Sequence, residues 1–115
     1  MAYTDDAKNA MLDTLGTLIT YAALYSDDAG TTEVTGGDPA YARKAITFAA
    51  ASGGSMAANG TLPVFDVPAG TVRAVGLMSA AVDGTRYDLS NVTDEVFAAQ
   101  GTYTLTSVTL DLNLV

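Results

Sequence analysis

Turn-forming residues punctuate this chain from position 26 onward: Ser26-Asp-Asp, Gly36-Gly-Asp-Pro39, Ser52-Gly-Gly-Ser55, Asn59-Gly60, Pro68-Ala-Gly70 and Asp83-Gly84. Between them lie short runs of β-branched, aromatic and small apolar residues, long enough for strands and too brief for helices with a buried face. Regularly spaced strands of this kind close into antiparallel sheets rather than βαβ units. The expected fold is therefore mainly β: an antiparallel β-sandwich or small barrel of about six strands, with one short N-terminal helix. With 115 residues one domain covering 1–115 is expected.

The helix is read at 5–15. Thr4 is placed to cap it, Asp5 and Asp6 sit at the positive end of its dipole, and Ala7, Met11, Leu12, Leu15 and Leu18 recur at helical spacing. Gly16 is expected to end it as the residue after the C-cap. Residues 17–25 form an apolar run expected to be a central strand, and 26–39 a long acidic surface loop. A second strand is expected at 41–50, with Ile46 and Phe48 on one face. The small residues of 49–59 suggest a mobile linker.

Residues 62–67, 71–81 and 85–89 read as a three-strand meander, with Asp83-Gly84 as a two-residue hairpin turn. Residues 90–101 suit either a turn of helix or an extended crossover. From Thr102 the apolar positions are Tyr103 and Leu105, then Val108, Leu110, Leu112 and Leu114, so the inward phase slips near Thr106 or Ser107. A bulge or bend is expected there. Leu110 and Leu112 are taken as core, each worth about 2–5 kcal/mol on truncation to Ala, and Asp28 as surface, worth less than about 0.5 kcal/mol.

Composition excludes much chemistry. With no His and no Cys, a Ser/His/Asp triad, a thiolate nucleophile, a zinc cluster and an iron–sulfur site are all out of reach. Thirteen acids against five bases give a net charge of −8. Lys8, Arg43, Lys44, Arg73 and Arg86 are too scattered to attract a phosphate backbone against that field, so no nucleic-acid partner is expected. No apolar run reaches the length of a membrane span, and the acidic start does not read as a signal peptide.

Five constellations merit weighing. Asp27, Asp28, Glu33 and Asp38 offer hard oxygen ligands, but their spacing fails the calcium-loop pattern, so a solvated acidic loop is expected. Asp66, Asp88 and Asp111 fall on expected strands without a spacing that selects a glycosidase pair. Tyr21, Tyr25, Tyr41, Tyr87 and Tyr103 suit a carbohydrate platform, although packing in a core or subunit interface is the favoured reading. Arg43 and Lys44 lie close enough in sequence to Asp38 for a surface ion pair or an inter-subunit bridge, and Asn91-Val92-Thr93 matches a glycosylation triplet common by chance. No catalytic, cofactor-binding or metal-ligating residue is assigned.

Gly36-Gly-Asp-Pro-Ala-Tyr-Ala-Arg43, Val64-Phe-Asp-Val-Pro-Ala-Gly-Thr-Val72, Val75-Gly-Leu-Met-Ser-Ala80 and Phe97-Ala-Ala-Gln-Gly-Thr-Tyr-Thr-Leu105, together with the opening helix, resemble short virion proteins of tailed phages and prophages of actinobacteria, commonly labelled tail-fibre or minor tail proteins. The resemblance covers most of the chain, and its motifs are turns and strand faces rather than catalytic signatures. Members often carry Trp where this chain has Met78, so no aromatic site is carried over there. The resemblance implies a non-enzymatic structural component of a virion, made in the host bacterial cytoplasm. Its implied partners are other virion proteins, of the tail or the capsid shell, and copies of itself. Capsid decoration is the alternative to a tail position. A carbohydrate-binding module for host attachment ranks below both.

Overall fold

The computed structural model describes residues 2–114. Helix α1 (Asp5–Leu18) is followed by strands β1 (Tyr21–Tyr25), β2 (Lys44–Ala45), β3 (Ser55–Ala57), β4 (Val64–Val67), β5 (Gly70–Met78), β6 (Arg86–Phe97), β7 (Gly101–Thr104) and β8 (Thr109–Asp111), with a closing 3-10 turn at Leu112–Leu114. The fold is mainly β with antiparallel sheets and one helix, as the turn spacing predicts. It is sandwich-like and does not close into a barrel. A four-stranded sheet in the order β2-β1-β5-β6 stands beside two ribbons, β3-β8 and β4-β7.

Alternation along the strands divides the core. On one face of the large sheet Ala22, Leu24, Val75 and Leu77 pack with Phe65, Val67, Tyr103 and Leu105 of the β4-β7 side. The other face holds a smaller cluster of Ala23, Tyr25, Ala74 and Met78, edged by Tyr21 and Leu89. Strand β1 is thus buried on both faces, as its unbroken apolar run requires.

The helix begins where expected: the Thr4 hydroxyl accepts from the Ala7 amide at 3.2 Å, above Asp5 and Asp6 in the first turn. Gly16 does not end it. The helix continues to Leu18 and is capped at Ile19, whose amide donates to the Leu15 carbonyl at 3.0 Å. Gly16 serves contact instead, since a Cβ there would stand 3.1 Å from Met56 Sδ. Leu12 carries the buried face, while Met11 and Leu18 are exposed.

Further expectations are corrected. The segment 49–59 is pinned structure rather than a mobile linker: Met56 is 2% exposed on β3, Asp13 accepts from the Ala51 amide at 2.8 Å, and Asn9 accepts from the Gly54 amide at 2.9 Å. Asn9 and Asp13 are one helical turn apart, so a single helix face holds the segment. The strand expected at 41–50 shrinks to two residues, because beyond Ala45 the chain makes an isolated bridge from Phe48 to Ala58, just past β3, instead of extending along β1.

The meander is also replaced, since β4 pairs with β7 and only β5 and β6 form a hairpin. Its turn spans 79–85 rather than two residues. The Ser79 amide donates to the Thr85 carbonyl at 2.9 Å, and Asp83 and Gly84 occupy the left-handed region at φ 56° and 77°. Finally, β6 runs extended to Phe97, which resolves 90–101 in favour of strand. The phase slip near Thr106 is a break: β7 ends at Thr104, and β8 resumes at Thr109 against a different partner. Leu110 and Leu112 are consequently half-buried, not core, whereas Leu105 is 6% exposed.

Candidate functional site

The acidic loop after β1 does not gather its carboxylates. Asp27 turns back on its own loop, accepting from the amides of Thr31 at 3.0 Å and Thr32 at 2.9 Å and from the Thr31 hydroxyl. The Thr31 hydroxyl first, then these amides, hold its carboxyl below the ordinary aspartate range. Asp38 uses its backbone amide, which donates to Gln100 Oε1 at 3.1 Å, and Asp28 is exposed. Among the described residues no group of three or more potential ligands assembles.

Glu33 follows a different course. The Val34 amide donates to the Leu24 carbonyl at 3.0 Å, and Tyr25 bridges Glu33, so the returning chain lies along β1. A turn at Gly36 and Gly37 then brings Tyr41 and Arg43 beside it, with the Tyr41 amide donating to the Gly36 carbonyl at 2.9 Å. Arg43 grips Glu33 through two parallel bonds of 2.9 Å, and its remaining terminal nitrogen donates to the carbonyls of Ala80 at 3.0 Å and Asp83 at 2.7 Å. The ion pair expected with Asp38 is therefore made with Glu33, which the strand bridge positions for it. Tyr41 donates to Glu33 at 2.8 Å and accepts the Leu24 amide at 2.9 Å.

This clasp joins three segments: β1, the 26–43 loop and the β5–β6 turn. The Arg43 side chain is only 9% exposed and that of Glu33 27%. Burial alone would raise the Glu33 carboxyl, but the bonds from Arg43 and Tyr41 outweigh it and hold the group below its ordinary value. Burial and the neighbouring Glu33 carboxylate push the Tyr41 phenol far upward, so it remains a neutral donor. Cavities of about 260 Å³ and 380 Å³ flank the clasp. The Glu33, Tyr41 and Arg43 side chains that reach them are hydrogen-bonded to one another.

The other expected constellations disperse. Asp66, Asp88 and Asp111 lie on β4, β6 and β8, in three different sheets, opposite Thr102, Leu77 and Ser55. Tyr25 and Tyr103 are buried, Tyr21 and Tyr41 are half-buried, and Tyr87 is exposed. Tyr41 stacks on Phe65 with centroids 6.3 Å apart, and Arg86 lies 5.2 Å over the Tyr25 ring. The tyrosines thus form no common platform. Asn91-Val92-Thr93 lies within β6.

One feature escaped the sequence reading. Strand β6 is the outer member of the large sheet, and β7 pairs only with β4. The space between these two strand edges is an open groove of about 530 Å³, lined by Asn91, Val92, Glu95, Tyr103, Leu105 and Ser107 among others. It continues into a smaller cleft of about 170 Å³ that shares Val92, Leu105 and Ser107 and adds Asp88 and Leu110. The signal for it was the phase slip at 106–107, which marks where the chain leaves one ribbon for the other. Comparison with family models, with curated proteins and with solved structures returns no match for this chain.

Proposed function

We propose that this protein is a non-enzymatic structural component of a tailed-phage virion, first of the tail apparatus as a tail-fibre or minor tail protein, with capsid decoration as the alternative position. The observation that carries the reading is the contrast between committed polar groups and uncommitted strand edges. Glu33, Tyr41, Arg43 and Asp27 all spend their bonding capacity inside the fold, whereas the 12-residue β6 presents an unpaired outer edge. Free edges template association with another chain, and monomeric proteins usually cover or shorten them. An elongated body of 48 × 23 × 22 Å suits a building block that meets neighbours along its length.

The scattered tyrosines weigh against a carbohydrate-binding module, and the expected glycosidase candidates Asp66, Asp88 and Asp111 fall in three different sheets. Among the described residues no helix is long and apolar enough to cross a membrane. Quantitative mass spectrometry of purified particles tests the role. Multiple copies per virion are expected, and absence from washed particles would overturn it.

A further inference from the structure

The groove between β6 and β7 has the form of a missing strand. Its two walls are strand edges, its floor is apolar through Val75, Leu77, Val92 and Leu105, and its rim carries Asp88 and Glu95 with no Lys or Arg among the lining residues. We propose that this groove accepts an extended segment of a different protein, one alternating small or β-branched apolar residues with Lys or Arg, which pairs with β6 and β7 and joins the large sheet to the β4-β7 ribbon. The inference deepens the structural role above, because it names the chemistry of the partner that such an edge would take.

Three observations set the occupant. Backbone pairing is open on both sides, so an extended chain finds donors and acceptors on each wall. Register shifts between Val72 and Ala74 and between Leu77 and Met78 bound a regular stretch at 88–91. That stretch includes Asp88 and Ser90, which line the cleft. The shift between Val72 and Ala74 falls opposite 92–94, in the middle of β6 beside the groove, so the stretch that stays regular for pairing is 88–91.

Charge selects a foreign segment over a second copy. The chain carries −8, and four of its five bases are already held: Lys8 by Asn113, Arg43 by Glu33, Arg73 by Asp94 and Arg86 by the Gly30 carbonyl. Two such acidic molecules repel one another, whereas a basic strand meets Glu95 and Asp88 with opposite charge. The Glu95 carboxylate contributes, after burial, to raising the Tyr103 phenol, which places its field across the groove floor.

The test uses the intact chain and a synthetic peptide of about seven residues, the length of an ordinary strand, alternating valine and lysine, followed by amide hydrogen exchange. Exchange in β6 at 88–91 and in β7 at 102–104 is expected to slow by at least about tenfold on binding. The Asp88→Asn/Glu95→Gln double variant is expected to bind about threefold to tenfold more weakly. A valine–glutamate peptide and a peptide N-methylated along its pairing edge are both expected to leave the two edges unprotected. Protection elsewhere only, equal protection by the N-methylated peptide, or self-association of the chain through these edges would overturn the proposal. None of these results bears on whether the chain is present in particles, so the two readings fail separately.

Discussion

Glu33 shows how one side chain can decide the position of a whole loop. Replacing it by Gln leaves the Arg43 guanidinium, 9% exposed, without its counter-charge, a loss of about 2–3 kcal/mol measurable by urea unfolding. The pH dependence follows from the direction of the shift. Because the folded carboxyl lies below the ordinary 4.5, folding binds fewer protons than the unfolded chain does near that pH. The stabilisation is complete above the ordinary value and disappears as pH falls through the lower folded value. The Glu33→Gln protein is expected to show a shallower loss of stability below about pH 4.5, and an unchanged slope would remove the clasp from the acid response.

A second residue-scale test concerns Gly76, where an added Cβ would stand 2.7 Å from the Tyr25 ring and 3.1 Å from Arg86 Cδ. Gly76→Ala is expected to cost about 1–3 kcal/mol and to lift Arg86 from the Tyr25 face, visible as altered tyrosine fluorescence. At this scale the sequence was legible for local features, such as the Thr4 cap and the first-turn Asp5 and Asp6, because a few neighbouring residues determine them. The partners of Arg43 and the purpose of Gly16 depend on segments far along the chain, and no local spacing encodes them.

At the scale of elements, strand identity was easier to read than strand pairing. An apolar run announces β1 by itself, but β4 could pair with β5 or β7, and the two choices have the same alternation in sequence. Pairing is settled by the collective packing of Phe65, Val67, Tyr103 and Leu105. The slip at Thr106 was visible, yet a bulge and a strand break leave the same trace. The distinction has a measurable consequence. Leu105→Ala removes a side chain 6% exposed and is expected to cost about 2–5 kcal/mol, whereas Leu110→Ala and Leu112→Ala, at half-buried positions, are expected to cost clearly less. Equal urea midpoints for the three variants would contradict the break between β7 and β8. The pinned segment at 51–54 offers a parallel test: Asp13→Ala, which removes a carboxylate that accepts from the Ala51 amide at 2.8 Å, is expected to speed amide exchange there while leaving β1 protected.

For the whole molecule, the sequence located the class of fold and not the open groove, because a groove is a relation between two sheets. The same limit applies to the acidic loop, whose four carboxylates read as one cluster in sequence and act separately in space. What emerges is a body 48 Å long whose internal polar contacts are closed and whose β6 and β7 edges are open to a neighbour. That combination fits the proposed structural role. The most direct measurement is cryo-electron microscopy of intact virions at a resolution that traces strands. The expected result is this chain on the tail or the shell with an extended segment of a neighbouring protein lying between β6 and β7. Particles in which the chain is present and both edges face solvent would contradict assembly through the groove, and particles lacking the chain would contradict the structural role itself.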